Sequence, residues 1–126
     1  MRSILLVCLF AAAAFAAEWL TSYDEAFDRA IAENKPVLVV LMRQSCPYCR
    51  QLISETLPQP AIDRVISENF IALMLDTEEN PKEVMRARLR ANAVPASFII
   101  GADGRQQNML IGYAPPMTYM RFLQQN

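Results

Sequence analysis

VLVVLMRQSCPYCRQL, residues 37–52, joins an unbroken apolar run to two cysteines three positions apart. Val37 to Met42 shows no polar alternation. That pattern predicts a strand buried on both faces, central in a sheet with helices on either side. Pro47 directly follows Cys46, and Leu52, Ile53 and Leu57 then recur at helical spacing. A helix is therefore expected to begin at the cysteine pair, with Cys46 as N-cap and Pro47 at the first helical position, where a missing N–H costs nothing.

The 126 residues, 53% of them hydrophobic, suffice for one packed domain. Lys and Arg number 12 against 13 Asp and Glu, and the isoelectric point is near 5.4. Nucleic-acid binding, which needs a clustered basic excess, is not expected. Arg86, Arg88 and Arg90 alternate with apolar positions and read as a solvated helix face.

The first residues differ in kind. MRSILLVCLFAAAAFAA carries one charge, Arg2, then an apolar stretch and the small-residue pattern Ala14-Phe15-Ala16. This is the pattern of a cleaved export signal over residues 1–16, with a mature domain at 17–126. The run is shorter than the ~20 residues of a spanning helix. Loss of the leader removes Cys8, leaving Cys46 and Cys49 as the only pair in an oxidising compartment.

Along the remaining chain, Ser22 and Glu25 form a capping box ahead of the stripe Ala26, Phe27, Ala30 and Ile31. Residues 61–69 read as a short helix and Phe70 to Leu75 as a second buried strand. Asn80, Pro81 and Glu83 announce another helix, Asn80 as N-cap and Glu83 completing the box. Residues 96–100 and 108–112 form a hairpin about an Asp103-Gly104 turn. Pro115-Pro116 opens a last helix with Met117, Met120, Phe122 and Leu123. The expected class is α/β: a mixed sheet, parallel where helices connect strands, antiparallel at the hairpin, and flanked by helices on both faces.

Three chemistries compete for the cysteine pair. A structural bridge across three positions would remove little unfolded-state entropy. A zinc site needs four ligands, and the sequence contains no histidine; no metal is expected, and copper delivery is disfavoured on the same ground despite 7 methionines. Without an imidazole base, Cys–His hydrolysis is excluded too. Thiol–disulfide exchange requires what is present. A helix N-terminus stabilises a sulfur anion, its dipole contributing ~0.3–1 kcal/mol and up to ~2 when partly buried. With one pKa unit equal to about 1.4 kcal/mol, a further lowering must come from Cys49 and from Arg43 or Arg50. Cys46 is the expected nucleophile and Cys49 the resolving thiol.

These residues resemble the thioredoxin-fold family over essentially all of residues 17–126. The likeness rests on VLVVLMRQSCPYCRQL, on Ala93-Val94-Pro95-Ala96 before a strand, and on Asp103-Gly104 and Ile111-Gly112 before the last helix. It is most similar to exported thioredoxin-related proteins, including the C-terminal domain of the periplasmic electron-transporting reductase. The resemblance implies that Pro95 is cis and packs beside the active-site cysteines. It further implies that the Val94 backbone offers strand-like hydrogen bonds to an extended substrate, and that Pro47 and Tyr48 support the site. The expected cofactor is none beyond a redox-active Cys46–Cys49 disulfide.

Two departures stand out. The buried carboxylate often found six positions before the first cysteine is Val40 here, which leaves the deprotonation of Cys49 without a base. Residues 111–116 lack the glycine and acidic motif of glutathione-binding relatives, so glutathione is not expected. The function expected is reduction of protein disulfides by a periplasmic or otherwise exported monomer, reloaded by a membrane electron-donor reductase. An oxidase or isomerase with broad protein substrates, which Pro47-Tyr48 favours, and a non-catalytic binding module stay open.

Overall fold

The computed structural model describes residues 16–125. The leader at residues 1–16 therefore lies outside the described chain, apart from Ala16. Strand β1 (Trp19–Leu20) is followed by helix α1 (Tyr23–Glu33), strand β2 (Val37–Met42) and helix α2 (Pro47–Gln51), which runs on as a π-helical turn (Leu52–Thr56). Then come α3 (Pro60–Asn69), β3 (Ile71–Asp76), α4 (Pro81–Ala87), β4 (Ala96–Ile100), β5 (Gln106–Ile111) and α5 (Pro116–Gln124).

All five strands form one sheet in the order β1-β3-β2-β4-β5. β3 is parallel to β1 and β2, whereas β4 is antiparallel to β2 and β5. β2 is thus central, and every one of its side chains is buried. Val37, Val39 and Leu41 pack with Leu73, Leu75 and Phe98 under α1 and α4. Leu38 and Val40 meet Leu52, Ile62, Ile66, Tyr119 and Leu123 on the other face. Each such side chain contributes roughly 1.5–3 kcal/mol of burial free energy. The apolar run of β2 is the requirement of a strand covered twice, as expected from its pattern.

Where local signals and tertiary contacts compete, the contacts win. Ser22 Oγ accepts the Glu25 N–H at 3.3 Å, but the Glu25 carboxylate turns to Arg29, so only half of that capping box forms. Asn80 makes no side-chain cap; its Oδ1 accepts from the Asp76 N–H instead, at 3.4 Å. Glu83 does not close a box either: its Oε2 accepts the N–H of Tyr23 at 2.7 Å, tying α4 to the start of α1. Ile31, expected in the stripe of α1, is 67% exposed because α1 faces the sheet through Ala26 and Ala30. The two-residue β1 is too short to show a period and was not anticipated. Arg86, Arg88 and Arg90 are all exposed, yet the helix ends at Ala87 and Arg88 adopts φ +51°. β5 begins at Gln106, two residues earlier than expected, after a turn in which Gly104 has φ +84°.

After the cysteines the helix widens and unwinds slightly: Leu57 N–H donates to Leu52 C=O at 3.0 Å, five residues back. The turn points Thr56 into the core, where its hydroxyl donates to the Ala114 carbonyl at 2.8 Å. Among the described residues no helix is long and apolar enough to cross a membrane.

One buried polar bond joins α5 to the sheet. The Tyr119 hydroxyl, fully buried, donates to Ser97 Oγ at 2.9 Å, and burial pushes the phenol well above its ordinary pKa. Tyr119→Phe is expected to cost about 1 kcal/mol, seen as a lower urea midpoint at unchanged slope.

Candidate active site

β2 delivers the chain to Met42 at one end of the sheet, and three exposed residues, Arg43 to Ser45, turn it into α2. The Cys46 N–H closes this turn on the Arg43 carbonyl at 3.3 Å. Cys46 is the N-cap of α2 with extended backbone, φ −91° and ψ 114°, and Pro47 follows in the first turn. Cys46 Sγ accepts the backbone N–H of Cys49 at 3.2 Å. A sulfur thus occupies the place of the oxygen of an ordinary cap. Both cysteines are free thiols; Cys49 is fully buried, and Cys46 keeps 8% of its surface exposed.

The opposite wall comes from the segment before β4. The Val94–Pro95 peptide is cis, and Cys46 Sγ donates to the Val94 carbonyl at 3.6 Å. The Pro95 carbonyl accepts from the Gly112 N–H at 2.7 Å, where φ is +90°, open to glycine but costly for other residues. The end of β5 therefore fixes the loop that faces the cysteines. Met42, Ile53, Met74 and Val94 complete an apolar surround.

That surround opposes ionisation; local donors and the Arg43 charge act on both sulfurs but outweigh it at Cys46 only. Burial pushes the Cys46 thiol up, but the Cys49 S–H and N–H, the Arg43 charge and the Tyr48 N–H together bring its pKa below the ordinary value. At Cys49 burial acts first, the hydrogen bond to Cys46 adds to it, and the pKa rises to about 11. One sulfur is thus made easier to ionise and the other holds its proton more firmly.

The expected site residues are thus brought together at Cys46, Cys49, Val94 and Pro95. Pro47 and Tyr48 are placed differently: both are exposed, Tyr48 to 64%, so they rim the sulfur instead of packing on it. Arg50 does not serve Cys46, because its guanidinium donates to the Gln44 carbonyl at 2.7 Å; Arg43 supplies the charge. Val40 is fully buried among apolar neighbours, as its departure from the common carboxylate foretold. Met42, Ile53 and Met74 were not singled out from the sequence, since in a strand or helix they are indistinguishable from ordinary core. Asp76 reads in the sequence only as the end of a strand. It is buried, and its Oδ1 accepts the N–H groups of Glu78 and Glu79 at 2.8 and 3.0 Å beside Met42, its partner in register.

A family model described as a thioredoxin-like domain matches residues 23–126. Among curated proteins, Spermatogenesis-associated protein 20 of Mus musculus is 38% identical over 64 residues, covering 51% of this chain but only 8% of that protein. Among solved structures, a thioredoxin from Thermus thermophilus superposes with a TM-score of 0.76 at 23% identity, covering 88% of this chain and 87% of that one. The C-terminal domain of Neisseria meningitidis DsbD in its oxidised form gives 0.68 at 23% identity, covering 82% and 91%. These two likenesses are of fold.

The thiol pair predicts a split titration. Alkylation of Cys46 by iodoacetamide should follow a pKa below the ordinary ~8.5, while Cys49 stays unreactive until pH approaches 11. Cys49→Ala should raise the Cys46 value and Arg50→Ala should leave it in place. Because the folded pKa of Cys46 is depressed, its thiolate adds stability above the unfolded thiol's pKa and loses it as pH falls through the folded value. For Cys49 the sign reverses, the contribution being present below ~8.5 and lost as pH rises towards 11. Ultraviolet thiolate absorbance and denaturant titrations across that range check both.

Proposed function

The chain belongs to the thioredoxin-like domain family, and from that membership we propose that it is an exported thiol–disulfide oxidoreductase that reduces protein disulfides. The observation carrying the proposal is the position of Cys46 Sγ, exposed at its edge, accepting the Cys49 N–H and lying against Val94. The chemistry follows from the two unequal thiols. The Cys46 thiolate attacks one sulfur of a substrate disulfide, forming a mixed disulfide and releasing the other substrate sulfur as a thiolate. Cys49 then gives up its proton, and its sulfur attacks Cys46 Sγ. The mixed disulfide breaks, the substrate leaves with both sulfurs reduced, and the chain holds the Cys46–Cys49 disulfide. Two electrons have passed to the substrate.

Val94 and Pro95 border the attacking sulfur, and the backbone before β4 is the surface along which an extended substrate segment lies in this reading. The apolar surround favours a substrate whose disulfide is flanked by apolar residues. The fold shared with the C-terminal domain of DsbD, a thiol:disulfide interchange protein, supports thiol–disulfide exchange; in this reading its direction is reducing, and a membrane reductase returns the dithiol. The export signal read at residues 1–16 supports a periplasmic or extracytoplasmic place of work.

Equilibration with a glutathione buffer is expected to give a potential nearer the ~−270 mV of thioredoxin than the ~−120 mV of a strong oxidant. A value at the oxidising end would overturn the direction and favour the oxidase reading. Cys46→Ser should abolish reduction of a disulfide-bonded test protein, and Cys49→Ala in the exported compartment should accumulate mixed disulfides on Cys46. A biological role untouched by Cys46→Ser would instead establish a binding module.

A further inference from the structure

Far from the cysteines along β2 and β3, one contact has no part in the redox chemistry. The backbone N–H of Ala17 donates to Asp63 Oδ1 at 2.9 Å, across 46 positions of sequence. Asp63 stands in the first turn of α3. Two residues beyond Ala17, β1 begins, pairing Trp19 with Ala72 and Leu20 with Leu73. Ala17 is also the residue that Ala14-Phe15-Ala16 would leave first after removal of a leader. A sequence pattern and a tertiary contact, obtained independently, meet on one nitrogen.

We propose that cleavage between Ala16 and Ala17 creates an ion pair between the new α-ammonium and the Asp63 carboxylate, which anchors the mature N-terminus on α3 and holds edge strand β1 to the sheet. The proposal is independent of the redox reading and rests on the export reading of residues 1–16. In the covalent step a leader peptidase hydrolyses the Ala16–Ala17 amide. The water oxygen stays on the Ala16 carboxylate, and Ala17 departs as an amine that takes up a proton. Before cleavage the nitrogen offers Asp63 one neutral N–H. Afterwards it offers a charged donor, so a bond already assisted by the carboxylate charge becomes an ion pair.

The surroundings leave this pair to itself. The contact sits in an open cleft of about 770 Å³, lined by Ala16, Ala17 and parts of α1 and α3. The other charges facing it are Glu18, Arg29, Glu33, Lys35, Arg64 and Glu68. Arg29 is engaged by Glu18 at 2.8 Å and Glu25 at 3.1 Å, and Lys35 by Glu33 at 3.8 Å. Arg64 and Glu68 stand one turn apart with opposite charge on α3. The rim is thus nearly balanced, and Asp63 is the carboxylate that holds the Ala17 nitrogen.

The test starts from the full chain, expressed with export and purified from the receiving compartment. N-terminal sequencing should begin at Ala17. Its α-amine is then titrated through the pH dependence of acylation by a succinimidyl ester, read by mass spectrometry of the N-terminal peptide. An ordinary α-amine has a pKa of ~7.7–8.0. The pair should raise it by about half a unit, the size of a partly exposed ion pair, and Asp63→Asn should restore the ordinary value. Should Asp63→Asn fail to fold, an Ala17-initiated chain with an acetylated α-amine keeps the N–H bond and lacks the charge. A raised folded pKa stabilises below the unfolded value, so the free-amine chain should melt higher than the acetylated one below about pH 8 and lose that advantage above it. A mature chain that begins elsewhere, an amine that titrates alike with and without Asp63, or equal melting of free and acetylated chains overturns the proposal.

Discussion

The hydrogen bond from the Cys49 amide to Cys46 Sγ, 3.2 Å long, is the constraint from which the rest of the site follows. It requires a helix to start at Cys46, which Pro47 permits, and a rigid element to bring Cys46 to the end of the sheet. That element is β2, paired on both edges and buried on both faces. An interior strand is held by more packing and more ladder bonds than any edge strand could offer. The sulfur therefore stands just beyond the end of the strand that is paired on both edges, with its exposed edge facing outward.

The same placement sets two demands against each other. Bringing β2 into the centre surrounds the cysteines with apolar side chains, which favours neutral thiols. The helix start, the Arg43 charge and the neighbouring thiol favour an anion at Cys46. Both sulfurs feel the first demand, but only Cys46 has enough donors to overcome it, because the N-cap position faces the unpaired amides of the first turn. Cys49, one turn inside, has its own amide aimed away from its sulfur and is left as the donor. Asymmetry between chemically identical side chains comes from their positions at a helix start.

Local patterns in this chain were reliable where one physical term dominates. The continuous apolar run of β2, the prolines opening helices and the Asp103-Gly104 turn each answer to one local cause, and each element formed close to its expected bounds. They failed where a side chain had a choice of partner. Glu83 could return to its own helix start and instead holds the Tyr23 amide. Arg50 could face the sulfur and instead holds the Gln44 carbonyl. Ile31 fits the stripe of α1 and stands in solvent, since α1 lies on the sheet through alanines that admit close approach.

Within the sequence itself lay the class of the fold and the placing of the cysteine pair at a helix start beyond the central strand. Those are matters of spacing and period, and spacing does not change when the chain folds. Tertiary structure alone decided which charges reach the sulfur, which apolar residues surround it, how Gly112 fixes the Pro95 loop, and that Asp63 meets Ala17. Each of these joins residues tens of positions apart. Their energies depend on distance in space and on what water has been excluded, and neither quantity is written along the chain.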